Sequence, residues 1–188
     1  NGVFALGFLV SIPLLTDFDS GADFQFAENI AWIPSIGASW SLAVDGYAML
    51  LVLLTTFIMP LAILASFRSH IFEERGRIKL YYIFMMLLEW AMIGVFVVQD
   101  LIIFYIFWEV TLVPMYFLIG IWGHDRRIYA TVKFFLYTMA GSVLMLAAII
   151  YLYTRTGTFD YTVILAKMAS RDLVLSGGES LLLFLAFF

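Results

Sequence analysis

Two carboxylic acids lie near the middle of apolar stretches that are long enough to cross a bilayer. Glu109 lies in DLIIFYIFWEVTLVPMYFLIGIWG (residues 100–123), and Glu89 lies in the preceding apolar stretch, residues 80–98. A carboxylate at the centre of a membrane helix costs roughly 3 kcal/mol on insertion scales, so an acid in this position indicates function by default. Both residues are therefore candidates for catalytic groups.

The spacing of the two acids predicts their depth. Only Gln99 and Asp100 separate the two stretches, which predicts a tight antiparallel helix hairpin in which Asp100 caps the second helix. Glu109 lies about 9 residues, or ~14 Å, into its helix, and Glu89 lies about 10 residues, or ~15 Å, before the same turn. We expect both acids close to the bilayer midplane. Whether they face each other depends on helix rotation, which the sequence leaves open.

Acids at a matched depth suit proton transfer. An apolar environment favours the protonated carboxyl group, a second acid strengthens that preference, and an approaching lysine reverses it. Tyr105 and Tyr116 lie one and two turns from Glu109 on a similar face, where they could hold water beside it. Pro114 leaves the Val110 carbonyl without its helical donor, one residue from Glu109.

Each of these side chains also has a structural alternative. A buried Glu can pair with a basic residue or bond to the backbone of a neighbouring helix. Lys133 lies only a few residues into its apolar stretch and can extend its amine to the membrane surface. Because Tyr129, Lys133, Tyr137 and Gly141 recur at helical spacing, Lys133 could instead face the acids and belong to the proton pathway.

The composition places these residues in an all-α, polytopic transmembrane helix bundle. Hydrophobic residues make up 64% of the chain and charged residues 13%, against about half and about a quarter in soluble domains. We expect a fragment of a longer protein, truncated at both ends. It forms a single membrane domain over residues 1–188, with spans at residues 2–15 (partial), 46–66, 80–98, 101–122, 128–153 and 180–188 (partial).

The segments between the spans differ in charge. Residues 16–45 carry five acids and no Lys or Arg, and their alternating pattern could form a short β-hairpin. Residues 67–79 and 124–127 hold six of the ten Lys and Arg, so these two loops are predicted to be cytoplasmic. Residues 154–178 carry three basic residues on the predicted outer side, and their centre, TVILAKMA, could form a short interfacial helix.

The residue inventory excludes several chemistries. The absence of cysteine excludes disulfides, thiolate metal sites and a cysteine nucleophile. His70 and His124 both fall in loops, so neither can ligate haem inside a span. We expect no cofactor and no metal in this chain, with any redox chemistry located on another chain.

Three stretches resemble the antiporter-like membrane subunits of respiratory complex I: WIPSIGASWSLAVDGYAMLLVLLTTFIMPLAIL, FYIFWEVTLVPMYFLIGIWG and KFFLYTMAGSVLML. The resemblance extends from Phe24 onward. It is specific, because Trp-Glu before Leu-Val-Pro, VDG at a helix start and LLTTF occur together and in order. It implies a full subunit of about fourteen membrane helices with a pair of inverted five-helix repeats. This chain would hold the second helix to the start of the seventh.

The resemblance also implies a function. Glu109 matches the family's essential glutamate on the fifth helix, and Glu89 matches an acidic position on the fourth. The partner lysine would lie on the seventh helix, shortly after Phe188. The implied activity is proton translocation by the membrane arm of an NADH-quinone oxidoreductase in a bacterial plasma membrane. NADH, FMN, iron–sulfur clusters and quinone would lie in partner subunits.

The expected partners are neighbouring antiporter-like subunits of complex I and the lipid bilayer, with no nucleic acid. A multi-subunit cation/proton antiporter shares this architecture and is the alternative. A third possibility is a structural scaffold within a membrane complex, in which Glu109 is merely paired.

Overall fold

The computed structural model describes residues 2–19, 21, 23–67 and 77–187. In these residues the chain forms seven α-helices and one two-stranded antiparallel sheet. The strands are β1 (Gln25–Ile33) and β2 (Ala38–Val44), and the helices are α1 (Gly2–Thr16), α2 (Gly46–Ser66), α3 (Ile78–Val97), α4 (Leu101–Trp122), α5 (Arg127–Thr156), α6 (Tyr161–Ala169) and α7 (Gly177–Phe187).

The helices pack largely in chain order. Each helix from α1 to α4 contacts the next one along the chain, and α7 packs on α5. By length and composition, α2 to α5 can each cross a membrane, while α1 and α7 are apolar but shorter. The predicted helical membrane bundle is therefore confirmed for the described residues. The acidic segment forms the β1–β2 hairpin, and TVILAKMA forms most of α6.

Two helix ends differ from the predicted ones for identifiable reasons. Helix α5 continues to Thr156, and Gly157 ends it with a left-handed φ of 72° that favours glycine. Helix α7 begins at Gly177 because Ser176 and Glu179 form a capping box. The Ser176 N–H donates to Glu179 Oε2 at 2.7 Å, and the Glu179 N–H donates to Ser176 Oγ at 3.3 Å.

The basic loop predicted over residues 67–79 is described only at its ends. Helix α3 begins at Ile78, so Lys79 lies in its first turn rather than in a loop. Residues 68–76, which include His70, lie outside the described residues.

Aspartate side chains cap helices on the side of the bundle that carries the β-hairpin. Asp45 caps α2 by accepting from the Ala48 N–H at 2.7 Å. Asp160 caps α6 by accepting from the Thr162 and Val163 N–H groups at 2.9 and 3.2 Å. A carboxylate at a helix start satisfies free N–H groups and lies at the positive end of the helix dipole.

Asp100 joins helix α4 to the β-hairpin. It has no exposed surface. Its Oδ1 accepts from the Ile102 and Ile103 N–H groups at 2.9 and 3.3 Å, which is the predicted cap of α4. Its Oδ2 accepts from the Ser39 N–H of β2 at 2.8 Å. One buried carboxylate thus satisfies backbone donors from two separate parts of the chain.

The turn before α4 is also held through its backbone. The Gln99 N–H donates to the Ser41 carbonyl of β2 at 2.8 Å, and the Gln99 carbonyl accepts from the Tyr161 N–H of α6 at 2.8 Å. The three-residue turn between α3 and α4, residues 98–100, is therefore held between β2 and α6. This contact fixes the height of both helices relative to the hairpin.

Gly94 and Phe107 fix the rotation of α3 against α4. A Cβ at Gly94 would lie 2.3 Å from the Phe107 ring, so glycine is what lets the ring lie against the α3 backbone. Trp90, one turn earlier, packs edge-on against the same ring with 5.0 Å between ring centroids. We call this contact of Trp90, Gly94 and Phe107 the α3–α4 seam.

Helix α1 is placed beside α3 at the end of the bundle opposite the hairpin. Phe4 is buried there, and its ring centroid lies 6.4 Å from that of Tyr82 on α3. The surrounding apolar cluster draws on α1 to α4 and consists of Phe4, Met59, Ile63, Tyr81, Met85 and Trp122.

Replacing Asp100 with Asn separates its two structural roles. Asn still caps helices well, but its amide would present a donor to the Ser39 N–H, so the anchor to the β-hairpin is lost. We expect Asp100→Asn to lower the free energy of unfolding by about 2 kcal/mol. The measurement is the thermal unfolding of the detergent-solubilised full-length subunit. The matched control is Asp45→Asn, because the Asp45 carboxylate accepts one backbone bond and has no second anchor among the described residues. Equal losses in the two variants would refute the anchoring role.

Candidate functional site

Glu89 and Glu109 lie at the same distance from the α3–α4 turn. Glu89 is eight residues before Val97, the end of α3, and Glu109 is eight residues after Leu101, the start of α4. At the helical rise each acid lies ~12 Å from the turn. The bounds of the two helices therefore give both acids a similar height in the bundle.

The two acids point away from the α3–α4 seam. Glu109 follows Phe107 by two residues, which turns it by about 200° around α4, and Glu89 precedes Gly94 by five, about 140° around α3. A Cβ at Gly7 of α1 would lie 3.7 Å from Glu89 Oε1, so Glu89 reaches toward α1. The sequence left open the rotation of α3 and α4. In the structure this rotation places Glu89 and Glu109 on opposite sides of the α3–α4 seam.

Glu109 lies on the side of α4 that packs against α5. Tyr105, one turn earlier, interacts electrostatically with both the Glu109 carboxylate and the Ser142 hydroxyl of α5. Ser142 is buried and donates to the Met139 carbonyl of its own helix at 3.0 Å. An acid, a phenol and an alcohol therefore lie together between α4 and α5, and such groups can pass a proton through hydrogen bonds.

Each acid carries a buried oxygen, Oε1, that has no hydrogen-bond partner among the described residues. The ion pair Arg155–Glu179, at 3.0 Å, joins α5 to the start of α7. It includes neither Glu89 nor Glu109. A bare carboxylate is costly in the membrane interior, so an acid with this environment is stable when protonated or when a cation reaches it.

The other sequence candidates lie elsewhere on the bundle. Tyr116 is partly exposed and packs edge-on against Phe135 of α5, with 5.6 Å between ring centroids. Lys133 lies on an exposed face of α5, where its amine is 5.9 and 5.7 Å from the ring centroids of Tyr129 and Tyr137. Within the described part of the chain, no ion pair or hydrogen bond joins Lys133 to either acid.

Several polar contacts of the bundle were not anticipated from the sequence. Tyr151 donates a short hydrogen bond to Glu179, beside the Arg155 ion pair, and the spacing of Ser176 and Glu179 is a capping signal that would have revealed part of this cluster. The buried contact between the hydroxyl groups of Ser11 on α1 and Thr56 on α2, which lie 2.8 Å apart, had no signal in the local sequence. In the described residues, no group of three His, Cys, Asp or Glu is arranged to hold a metal ion.

Two family models cover most of the chain. The model for NADH-ubiquinone oxidoreductase chain 4, amino terminus, matches residues 24–95. The model for the membrane region of the NADH:quinone oxidoreductase/Mrp antiporter group matches residues 98–188.

Curated relatives are similar over nearly the whole chain. NADH-quinone oxidoreductase subunit M of Rhodobacter capsulatus is 47% identical over 96% of this chain and 36% of that protein. NADH-ubiquinone oxidoreductase chain 4 of Arabidopsis thaliana is 39% identical over 96% of this chain and 35% of that protein. The chain therefore spans about a third of the length of these relatives.

Solved structures share the fold. A chain of respiratory complex I from Thermus thermophilus with bound NADH superposes with a TM-score of 0.76 and 26% identity, over 98% of this chain and 38% of that chain. A chain of the Mrp complex from Dietzia sp. DQ12-45-1b superposes with a TM-score of 0.78 and 19% identity, over 98% of this chain and 19% of that chain.

The electrostatic interaction between Tyr105 and Glu109 can be tested without an activity assay. Tyr105→Phe removes only the hydroxyl, an interaction worth about 1 kcal/mol. We expect it to shift the C=O stretch of the protonated Glu109 carboxyl group in infrared difference spectra, with the band assigned by Glu109→Gln. Tyr116→Phe is the control, because Tyr116 packs against Phe135. A Glu109 band that moves in Tyr116→Phe and stays in Tyr105→Phe would contradict this assignment.

Proposed function

The chain belongs to the family of antiporter-like membrane subunits of NADH:quinone oxidoreductases and Mrp antiporters, and we propose that it is part of a proton-translocating subunit of a complex I-type enzyme. Within the family, its similarity to curated subunit M proteins favours that subunit. The observation that carries the proposal is the pair of acids at matched depth, each with a buried oxygen that lacks a partner among the described residues.

In this proposal Glu109 is the group that changes protonation. Its carboxyl group has a buried oxygen that lacks a hydrogen-bond partner among the described residues. When a lysine approaches, the ionised carboxylate becomes the favoured form and the proton leaves. In this proposal that lysine belongs to another part of the full subunit. Tyr105 and Ser142 offer the departing proton hydrogen-bonding oxygens on the α5 side.

Glu89 is the second proton-transfer group. Its height matches that of Glu109, but it faces α1. Lys133 and Tyr116 have weaker support as members of the pathway, because both lie on exposed surfaces of this part of the subunit. Neighbouring elements of the full subunit would have to cover these surfaces before either residue could take part.

The redox chemistry of the enzyme belongs to other subunits in this proposal. NADH, FMN, iron–sulfur clusters and quinone are bound there, and electron transfer to quinone drives the proton movement in this subunit. Its partners are the other complex I subunits, chiefly neighbouring antiporter-like ones, and the lipid bilayer.

A cation/proton antiporter of the Mrp type is the second candidate. Two observations favour it. The family model that matches residues 98–188 covers both complex I and Mrp subunits, and the chain shares the fold of a chain of the Mrp complex. The subunits that co-purify with the protein distinguish the two candidate functions. Co-purification of flavin and iron–sulfur subunits supports complex I. Sodium-driven proton transport without electron transfer supports the antiporter.

We further propose that the protein lies in the plasma membrane with the 67–79 and 124–127 loops in the cytoplasm. The charge distribution supports this orientation, because basic loops remain on the cytoplasmic side. The opposite side would carry the acidic segment of residues 16–45, which includes the β-hairpin, and the aspartate-capped helix ends.

The orientation can be read with single cysteines, since residues 1–188 contain none. Ser35 is exposed in the turn between β1 and β2, and Asp125 is exposed in the α4–α5 loop. Each is replaced by cysteine in a separate variant. A membrane-impermeant maleimide is expected to modify Ser35→Cys in intact cells and Asp125→Cys in inverted vesicles, as measured by peptide mass spectrometry. The reverse pattern would overturn the orientation.

The role of Glu109 is tested in the assembled complex. Glu109→Gln keeps the shape of the side chain but cannot give up a proton, so we expect NADH-driven proton pumping in proteoliposomes to fall by about tenfold or more with assembly intact. Glu28→Gln, an exposed acid on β1, is the control and should pump normally. Unimpaired pumping by Glu109→Gln would end this proposal.

A further inference from the structure

Ser142 places a buried hydroxyl group on α5 at the depth of Glu109. Helices α4 and α5 run antiparallel, and a Cβ at Gly120 of α4 would lie 3.4 Å from Thr131 Oγ1 of α5. Glu109 is eleven residues before Gly120, and Ser142 is eleven residues after Thr131. Because eleven residues make about three full turns, Glu109 and Ser142 return to the facing sides of the two helices.

A second contact between the same helices gives the same register. Tyr116 packs against Phe135, and seven residues along each helix, about two turns, again lead to Glu109 and Ser142. The serine is therefore opposite the acid.

Tyr105 lies beside both of these side chains. It is one turn before Glu109 on α4 and packs against the apolar cluster that contains Met145, which is one turn after Ser142 on α5. Tyr105 also interacts electrostatically with both the Glu109 carboxylate and the Ser142 hydroxyl. The phenol thus lies where it can bond to the acid on one side and to the alcohol on the other.

The hydrogen bond of Ser142 has one direction in the structure. Ser142 Oγ lies 3.0 Å from the Met139 carbonyl, which can only accept, so the serine proton is committed to that bond. The serine oxygen is then free to accept from Tyr105, and the Tyr105 oxygen is free to accept from a protonated Glu109. The buried Glu109 Oε1, which lacks a partner among the described residues, suits the carbonyl oxygen of that protonated group.

An ionised Glu109 requires the opposite direction. A carboxylate can only accept, so Tyr105 has to turn its proton toward Glu109. Ser142 can then turn its own proton from the Met139 carbonyl to the Tyr105 oxygen. The Met139 carbonyl is not left bare, because within α5 it also accepts the helical bond from the Val143 N–H.

We propose that Ser142, Tyr105 and Glu109 form a chain of hydrogen bonds whose direction reverses when Glu109 gains or loses its proton, with Ser142 as a positioning residue that acts through Tyr105. This inference rests on the proposed proton-transfer function. The reversal consists of hydroxyl rotations only, so each hydroxyl keeps its own proton and no proton leaves through Ser142. The chain gives both forms of the acid a partner, and neither form is locked in place.

The test is Ser142→Ala in the full-length subunit within its assembled membrane complex. Alanine is close to serine in size and favours helix formation, so the bundle is retained. Without the serine oxygen, Tyr105 has only the Glu109 carboxyl group as an acceptor in this chain. We expect the C=O stretch of the protonated Glu109 carboxyl group to move to lower wavenumber in infrared difference spectra, because a hydrogen bond to the carbonyl oxygen weakens the double bond. The loss of this band in Glu109→Gln assigns it.

A double variant shows whether Ser142 acts through Tyr105. Tyr105→Phe removes the phenol proton, so adding Ser142→Ala should leave the Glu109 band where Tyr105→Phe alone puts it. A serine that merely fills space would move the band equally in the presence and absence of the phenol.

Ser11→Ala is the matched control. Ser11 is also buried, and it donates to the carbonyl three residues earlier in its own helix, that of Phe8, at 2.7 Å. It lies on α1, whereas Glu109 lies on the α5 side of α4. The same substitution at this position should therefore leave the Glu109 band unmoved.

An unmoved Glu109 band in Ser142→Ala, or a shift of the same size with and without the Tyr105 hydroxyl, would overturn the proposal. Neither result would touch the proposed function, which depends on the loss of pumping in Glu109→Gln. Normal pumping by Glu109→Gln would instead count against that function, on which this inference rests.

Discussion

The buried carboxylate of Asp100 is the interaction on which the arrangement of this bundle depends. It satisfies two N–H groups at the start of α4 and one in β2, while it is fully enclosed. Lipid offers no hydrogen bonds, so membrane helices must satisfy their ends within the protein. By tying the α3–α4 turn to the hairpin, Asp100 fixes the height of both helices. The matched depth of Glu89 and Glu109 follows from their equal spacing from the turn that Asp100 anchors.

Depth alone does not decide which neighbours an acid has, because that depends on helix rotation. The close fit of Phe107 against Gly94 sets this rotation for α3 and α4 together. It sends Glu89 toward α1 and Glu109 toward the α4–α5 interface. Gly94 therefore shapes both acid sites although it touches neither acid. The site is better understood as two half-sites that share a height than as one cluster of carboxylates.

The sequence was sufficient for features that depend on local spacing. The helices, the β-hairpin, the Asp100 cap and the common depth of the acids all follow from short-range patterns. Rotation could not be predicted, because α3 and α4 are apolar around most of their surface and no polar face shows which side turns inward. The Ser11–Thr56 contact was equally hidden. Serine and threonine in apolar helices usually bond to their own backbone, so nothing local signals a bond to another helix.

The separation of the two acids limits how one can influence the other. Packed helix axes lie about 8–10 Å apart, and both acids point away from the seam, so their carboxylates are farther apart than the axes, on the order of 15 Å. Two charges at that distance interact by only about 1 kcal/mol at an effective dielectric constant of about 20. That energy changes a protonation equilibrium by less than about tenfold. Stronger coupling between Glu89 and Glu109 must come from movement of the helices. A small rotation at the α3–α4 seam would change the neighbours of both acids at once, since the Phe107–Gly94 contact holds both helices in their present rotation.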